Sequence, residues 1–208
     1  IIGLIADPER LSDIRRNRVA IMKDQKLKEY TDLDAIKKEV EDSLKNKFEK
    51  SLENQKVVVF GGTGPVGCIA GILAASAGAD VVIMGRKKDK CEELSKYCID
   101  NYLGSDAKIS GASNDEFNQM IDQVDIVLAS GAAGIQLVSE EQLKLAMNLK
   151  VAADVNAVPP SGVAGLDAMQ DCKELSGSVS GALGIGALAI GQVKYQAQSK
   201  LLKKRDTG

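Results

Sequence analysis

A glycine-rich hexapeptide that directly follows a run of β-branched residues constrains the fold of this chain most. Residues 57–60 predict a strand buried on both faces, and the chain then continues as Gly62-Thr63-Gly64-Pro65-Val66-Gly67. Glycines at this spacing permit a tight turn, a close approach of the backbone to a ligand, and close packing of a helix on the sheet. Pro65 suits the first helical turn, where its missing N–H costs nothing. The segment therefore predicts a strand–turn–helix unit whose helix N-terminus can bind a pyrophosphate.

Strand-like and helix-like segments alternate through the chain from Gln55 onward. Short aliphatic or β-branched runs, which predict strands, lie at 57–60, 80–84, 108–110, 125–129 and 150–153. Segments of helical composition lie at 64–77, 89–101, 114–121, 139–147 and 184–204. Such alternation with short connections predicts an α/β fold with a doubly wound parallel sheet, as in Rossmann-type NAD(P)-binding domains.

The first part of the chain differs in composition from the rest. Residues 1–54 are densely charged with both signs, whereas residues 55–208 are rich in Gly, Ala and Val. Apolar residues recur every three or four positions at 33–52, which predicts an amphipathic helix. We expect this helix to pack on its own domain, with partner binding or a coiled coil as the alternatives. We predict a charged helical segment at 1–54 and an NAD(P)-binding domain with a C-terminal helix at 55–208. Because the chain begins with Ile1, we expect it to be trimmed or partial.

Composition excludes several classes of function. The chain has no histidine, which excludes Ser-His and Cys-His nucleophile pairs, and its 4 cysteines form no CxxC pair, so we predict no metal site. The net charge of −2 gives no attraction to nucleic acid or to an anionic membrane. No apolar run is long enough to cross a bilayer and no signal peptide opens the chain. We therefore expect a cytoplasmic protein with reduced thiols.

The residues after the second predicted strand indicate which dinucleotide is bound. An NAD-preferring domain usually carries an acidic residue there for the ribose 2′-hydroxyl. This chain carries Gly85-Arg86-Lys87-Lys88 instead. A guanidinium at that position can pair with a 2′-phosphate, so Arg86 and Lys87 predict NADP as the cofactor, with NAD possible. The alternative is a solvated basic start of a helix.

Small residues follow the strand predicted at 125–129, in the order Ser130-Gly131-Ala132-Ala133-Gly134. Ligands of such sheets bind outside the carboxyl ends of the strands, where the strand order reverses. We therefore expect Ser130, Gly131 and Ala132 to line the nicotinamide ribose. The alternative is a compact turn without a ligand.

Two longer segments resemble a known family. They are Asp154-Val155-Asn156-Ala157-Val158-Pro159-Pro160-Ser161-Gly162-Val163-Ala164-Gly165-Leu166-Asp167 and Gly184-Ile185-Gly186-Ala187-Leu188-Ala189-Ile190-Gly191-Gln192-Val193-Lys194-Tyr195-Gln196. Both are similar to the NAD(P)-dependent methylene-tetrahydromethanopterin dehydrogenases, and the resemblance extends over residues 43–205. It implies oxidation of a pterin-bound methylene group to the methenyl cation with transfer of hydride to NADP. Adjacent nitrogen lone pairs stabilise that cation, so a site without histidine suffices for the chemistry.

The resemblance also implies roles for residues at matching positions. The glycine turn at 62–67 would hold the pyrophosphate, and Asp154 and Asn156 would contact nicotinamide or pterin at a strand tip. Pro159 and Pro160 would stiffen the substrate-side loop, and Lys194 could reach the cleft or be solvated. No catalytic residue is identified.

The resemblance leaves alternatives open. Family members have an N-terminal domain that forms the other wall of the pterin cleft, and we expect residues 1–54 to be a remnant of it plus a linker helix. A related folate is the alternative substrate. A non-catalytic nucleotide-binding or regulatory module is the alternative from another class. A homo-oligomer is possible, since the apolar stripe at 33–52 needs a covering surface.

Overall fold

The computed structural model of this chain describes residues 52–206. Strands are β1 Lys56–Phe60, β2 Asp80–Gly85, β3 Ile109–Ser113, β4 Ile126–Ala129, β5 Val151–Asp154, β6 Asp171–Glu174 and β7 Leu183–Ile185. Helices are α1 Pro65–Ser76, α2 Lys88–Tyr102, α3 Glu140–Leu145 and α4 Ala187–Asp206, and two 3₁₀ turns cover Asn114–Gln119 and Ile121–Gln123. The amphipathic helix predicted at 33–52 lies outside the described residues except for Leu52.

Within residues 52–206 the strands form one sheet in the order β3-β2-β1-β4-β5-β7-β6. Every neighbouring pair is parallel except β6 and β7, which are antiparallel. The predicted α/β doubly wound fold is therefore confirmed. The order reverses between β1 and β4, which creates the switch point where such sheets bind ligands.

Alternating side chains of the central strands pack on opposite faces of the sheet. Val58 and Phe60 belong to one buried cluster, whereas Val57 and Val59 belong to the other. This division follows from the period of two in a strand. Because both faces of the sheet are covered, the strands carry continuous apolar runs. Each buried Val or Ile side chain stabilises the fold by about 1.5–3 kcal/mol.

Different elements cover the two faces. Helices α1 and α2 pack on the face of Val57 and Val59 through Ile72 and Cys91. On the opposite face, Phe117 of the first 3₁₀ turn meets Phe60 edge-to-face, with ring centroids 4.9 Å apart. The predicted helix at 114–121 is therefore two short 3₁₀ turns, and the weak strand predicted at 108–110 extends to Ser113.

Two details of the prediction at the C-terminal end are wrong. Residues 183–185 form strand β7 beside β5, so the last helix begins at Ala187 rather than at residue 184. The reason is local, because the backbone at Gly186 lies against the backbone of Asp167. A Cβ on Gly186 would be 2.2 Å from the Asp167 carbonyl oxygen, and Gly186 therefore lies outside the helix. The sheet also acquires an antiparallel edge, which the sequence did not predict. None of the helices in the described part of the chain is long and apolar enough to cross a membrane.

Candidate dinucleotide site

The candidate site lies at the carboxyl edge of the sheet, where four strands end side by side. Phe60 at the end of β1 pairs in register with Met84 of β2 and with Ala129 of β4. Ala129 pairs in turn with Asp154 at the end of β5. The segments that follow these strands therefore adjoin one another, and they contain nearly all of the predicted site residues.

The glycine turn after β1 is held by contacts that only glycine permits. The Gly62 N–H donates to the Met84 carbonyl at 3.0 Å, which fixes the turn against β2. A Cβ on Gly62 would lie 2.5 Å from Ile83 Cγ2, and a Cβ on Gly67 would lie 2.6 Å from Ser130 Oγ. A Cβ on Gly64 would make one tight contact, with the Gly61 carbonyl oxygen at 3.2 Å, and no other atom lies within 4 Å, so this side of Gly64 is otherwise open. Gly62 and Gly67 therefore have no room for a side chain, whereas the predicted approach of a pyrophosphate at Gly64 stays a prediction.

A fourth glycine, missed by the sequence reasoning, completes the turn. Gly61 adopts a φ of +68°, and a Cβ there would lie 2.5 Å from the Ser130 carbonyl. Positive φ together with contact to the backbone of the β4 loop makes Gly61 the residue that lets the turn and this loop approach each other. The doubled glycine directly after a buried strand was the signal that could have identified it.

The turn presents backbone donors at the start of helix α1. Pro65 occupies the first helical turn, as predicted. Among residues 52–206, no partner is found for the backbone N–H groups of Thr63, Val66 and Gly67. Free amides and the positive end of the helix dipole form an anion-binding arrangement. The open face at Gly64 gives a pyrophosphate room beside these donors.

The basic segment after β2 lies next to the glycine turn. A Cβ on Gly85 would be 3.4 Å from Thr63 Cγ2, so the β2 tip and the turn are neighbours. Arg86 and Lys87 are exposed, and neither has an ion-pair partner among the described residues. Both side chains are therefore available to an anionic group bound beside the turn.

Lys88, the third basic residue of this segment, is held by a neighbour. Its Nζ lies 2.7 Å from Glu116 Oε1, while Glu116 Oε2 accepts a hydrogen bond from the Ser113 N–H at 2.8 Å. The hydrogen bond from Lys88 lowers the pKa of Glu116, and the same bond raises the pKa of Lys88. The ion pair with Glu116 thus holds the charge of Lys88, one of the three positive charges of this segment, away from the edge of the site.

The loop after β4 packs against the glycine turn. The Ser130 hydroxyl donates to the Phe60 carbonyl at 2.7 Å, so its side chain ties the β4 loop to the end of β1, directly before the glycine turn. A Cβ on Gly131 would lie 2.8 Å from Leu137 Cδ1, whereas Ala132 is exposed. Ser130 therefore positions the loop, and Ala132 presents a small surface beside the cleft.

The loop after β5 is organised by the carboxylate of Asp154, which is 1% exposed. Its Oδ1 accepts a hydrogen bond from the Asn156 N–H at 2.9 Å, and its Oδ2 accepts one from the Gly162 N–H. The Asn156 side-chain amide donates to the Gly131 carbonyl at 2.8 Å, which joins this loop to the β4 loop. The two carboxylate oxygens of Asp154 are therefore occupied by the protein, and Asn156 is the connecting residue.

A pocket of about 210 Å³ opens between the β5 loop and the start of α4. It is lined by Asp154, Asn156, Ala157, Val158, Pro159, Ser161, Leu166, Asp167, Ala168, Gly186 and Ala187. This volume is below the roughly 300–1,000 Å³ of typical small-molecule sites. Pro159 lines the pocket, whereas Pro160 and Lys194 are exposed and do not belong to its lining. The predicted residues of the glycine turn, the β2 tip, the β4 loop and the β5 loop all follow strand ends at this edge of the sheet.

Three of the cysteines lie in the layer formed by α1 and α2, and a Cβ on Gly85 at the β2 tip would be 2.9 Å from Cys91 Sγ. Cys91 and Cys98 are buried thiols in the layer formed by α1 and α2, and Cys68 Sγ lies 3.9 Å from Cys98 Sγ. Burial raises the pKa of Cys91, so the thiol stays protonated and unreactive. These residues contribute to packing behind the glycine turn.

Fold and site together define the class of this protein. A doubly wound sheet, a glycine turn with free amides at its switch point and basic residues at the β2 tip make it a Rossmann-type dinucleotide-binding domain. The family model described as "Shikimate / quinate 5-dehydrogenase" matches residues 42–169. The chain belongs to that family.

Two curated proteins of similar sequence agree with this class. The chain is 34% identical over 171 residues to the NAD(P)-dependent methylenetetrahydromethanopterin dehydrogenase of Methylorubrum extorquens, covering 82% of this chain and 57% of that protein. It is 33% identical over 141 residues to the "Bifunctional protein MdtA" of the same organism, covering 67% of this chain and 49% of that protein. The resemblance predicted from the two segments is therefore confirmed. The chain spans about half the length of these curated relatives.

A solved structure supports the fold. The quinate dehydrogenase of Corynebacterium glutamicum in complex with NAD superposes with a TM-score of 0.51 at 15% identity, covering 71% of this chain and 49% of that one. At this identity the likeness concerns the fold alone.

A second family model matches the other end of the chain. The model described as "Kinase/pyrophosphorylase" covers residues 1–57, which overlaps the first model at 42–57. The interpretation of residues 1–54 as a remnant of a pterin-binding domain stays a prediction.

Proposed function

We propose that this chain is the cofactor-binding part of a cytoplasmic oxidoreductase of one-carbon metabolism, which transfers a hydride from methylene-tetrahydromethanopterin to NADP⁺. The observation that carries the proposal is the 34% identity over 171 residues to a methylenetetrahydromethanopterin dehydrogenase. The second support is a glycine turn that fits a dinucleotide. Because the Gly61 carbonyl oxygen is the one atom within 4 Å of a Cβ on Gly64, the turn leaves room there for a bound pyrophosphate.

The residues of this chain have distinct tasks in that reaction. The amides of Thr63, Val66 and Gly67 bind the pyrophosphate, and Arg86 with Lys87 binds the 2′-phosphate of NADP. NAD, which lacks the 2′-phosphate, is accepted more weakly on this proposal. NADP⁺, when bound, supplies the hydride acceptor in its nicotinamide ring.

The substrate-side loops position the two reactants. Ser130 ties the β4 loop to the end of β1, and Asn156 ties the β5 loop to the β4 loop. Loops linked in this way can hold the nicotinamide ring against the pterin ring, so that hydride passes over a short distance. The methylene carbon loses a hydrogen with both electrons, and the adjacent pterin nitrogens stabilise the methenyl cation that remains. The site needs no general base for this step, in agreement with the absence of histidine from the chain.

The test is the formation of NADPH, followed by absorbance, with methylene-tetrahydromethanopterin and in parallel with methylene-tetrahydrofolate. We expect turnover with the pterin substrate and weaker turnover with the folate. Faster turnover with the folate would replace the pterin by the folate as substrate. Tight NADP binding without turnover of either would leave a non-catalytic nucleotide-binding module. A matched control is the R86A variant, which should lose activity at low NADP⁺ and regain it at high NADP⁺.

A further inference from the structure

Two thiols from different helices meet in the layer that covers one face of the sheet. Cys68 lies in the first part of α1, directly after Gly67, and Cys98 lies in the second half of α2. Their Sγ atoms are 3.9 Å apart, close enough for a hydrogen bond between sulfurs. Cys98 is fully buried, whereas Cys68 is partly exposed. A buried thiol therefore lies against one that solvent reaches.

The contact gives the two thiols different reactivities. A hydrogen bond from the Cys98 thiol lowers the pKa of Cys68, and the same bond together with burial raises the pKa of Cys98. The thiolate is the nucleophilic form of cysteine, so Cys68 is the more reactive sulfur of the pair. An accessible cysteine of low pKa beside a second thiol is the arrangement found in redox-sensing sites. Cys98 is placed to react with the oxidised form of Cys68.

Hydrogen peroxide is an oxidant small enough for a partly exposed sulfur. The Cys68 thiolate attacks one peroxide oxygen, the O–O bond breaks, and the departing hydroxide takes up a proton and leaves as water. Cys68 is then a sulfenic acid. The Cys98 sulfur attacks Cys68 Sγ and forms the S–S bond, while its proton joins the sulfenic hydroxyl, which leaves as a second water. Two electrons pass from the two thiols to the peroxide, and a thiol reductant reverses the change.

The new bond would act on the glycine turn through α1. It brings the two sulfurs from 3.9 Å to about 2.05 Å, which draws the helices together. Helix α2 packs on β2 and β3, whereas β4 lies on the other side of β1. A pull on Cys68 toward α2 is therefore a pull away from the β4 loop, where Gly67 packs against Ser130.

We propose that Cys68 and Cys98 are a peroxide-sensitive thiol pair whose disulfide links α1 to α2 and weakens dinucleotide binding at the glycine turn. The effect on binding rests on the proposed function, because it takes the Gly67 amide as a ligand of the pyrophosphate. Loss of one hydrogen bond to a charged group lowers affinity by about tenfold or more. The reduced protein is the form that binds the cofactor, and peroxide converts it reversibly to a weaker binder.

The experiment treats the full chain with hydrogen peroxide and measures its mass without reductant. NADP is then titrated before and after addition of dithiothreitol. The wild-type chain should lose two hydrogen atoms, with the peptides of Cys68 and Cys98 joined, and should bind NADP about tenfold more weakly until it is reduced. C98A keeps the accessible thiol without its partner, so it should stop at a sulfenic acid that dimedone labels. C172S removes the exposed cysteine of β6 and should behave as the wild-type chain does.

The results separate the inference from the proposed function. Absence of the cross-linked peptides would show that Cys68 and Cys98 only pack together, and would overturn the inference. A cross-link with unchanged NADP affinity would overturn its effect on the turn. If C98A does not fold, the comparison of oxidised with reduced wild-type chain decides. Failure of the reduced wild-type chain to bind NADP or NAD would overturn the proposed function, whereas the mass measurement would still decide whether the disulfide forms.

Discussion

Replacement of Gly67 by alanine should damage both the dinucleotide site and the stability of the domain. The new Cβ would lie 2.6 Å from Ser130 Oγ, 2.7 Å from the Gly61 carbonyl oxygen and 2.7 Å from Gly62 Cα. Two of these three atoms belong to the backbone of the turn, which cannot move away as a flexible side chain can. Such overpacking typically costs about 1–3 kcal/mol of stability. We therefore expect a lower urea midpoint for G67A with an unchanged slope.

The effect on cofactor binding can be estimated from the donors in the turn. Displacement of the turn moves the amides of Val66 and Gly67 away from the pyrophosphate. A hydrogen bond to a charged group contributes about 1.5–3 kcal/mol, so the loss of two such bonds costs about 3 kcal/mol or more. This corresponds to a rise of roughly 150-fold in the Kd of NADP. The assay is titration of NADPH fluorescence at several concentrations of G67A.

Two other glycines provide matched controls. Gly71 lies one turn further along α1, and a Cβ there would be in ordinary contact at 3.5 Å from Ile83 Cγ1. G71A should stabilise the helix by about 0.5–1 kcal/mol and leave binding unchanged. G64A should lose affinity, because its methyl group occupies the side of the turn proposed for the pyrophosphate, and should lose less stability than G67A, because its Cβ meets a single backbone atom, at 3.2 Å. A G67A variant with wild-type stability and wild-type affinity would refute this account of the turn.

Three further outcomes are expected. R86A should weaken binding of NADP by at least about tenfold and hardly affect NAD, since only NADP offers a charge-assisted contact; equal loss for both cofactors would place Arg86 elsewhere. E116Q should tighten NADP binding a few-fold because it releases Lys88 toward the 2′-phosphate. The urea midpoint should stay unchanged, as expected for an exposed ion pair. Unchanged NADP affinity would show that Lys88 cannot reach the 2′-phosphate. S130A should lower affinity for both cofactors, checked in the same titrations, because the β4 loop loses the hydroxyl's hydrogen bond to the Phe60 carbonyl and keeps only the bond from the Ser130 N–H.

Much of the fold was predictable because burial leaves a strong pattern in the sequence. Strands β1 and β2 carry the runs 57–59 and 81–83, which are buried on both faces. The glycine spacing predicted the turn between β1 and α1. The alternation of strands and helices with short connections predicted that the strands are parallel. These features depend on residues close together in the chain, where propensity and periodicity act.

The elements that were missed lack such a pattern. All residues of β6 are exposed, so the strand carries no apolar alternation. Strand β7 has three residues, Leu183, Gly184 and Ile185, and its central glycine gives no β-propensity. Its position depends on parallel pairing with β5, more than 30 residues earlier in the chain.

The sequence placed the candidate residues at strand ends but gave few of the contacts among them. It placed Asp154 at the tip of β5, and the structure adds that its oxygens accept hydrogen bonds from loop amides, while its contact with a ligand stays a prediction. The bond from Asn156 to Gly131 joins residues 25 positions apart, and the ion pair between Lys88 and Glu116 joins residues 28 positions apart. Side-chain contacts at such separations depend on the folded arrangement of loops, which spacing alone does not encode.

Strand β6 also has a consequence for how copies of this domain behave at high concentration. An edge strand offers unpaired backbone groups to any strand of another molecule, which is a common route to aggregation. Here the edge consists of Asp171, Cys172, Lys173 and Glu174, and its pairing with β7 shifts register between Asp171 and Lys173. Cys172 adopts a φ of +52° at the shift, which bends the strand. Charge and curvature together oppose the addition of an intermolecular strand at this end of the sheet, and so protect the domain from edge-to-edge polymerisation.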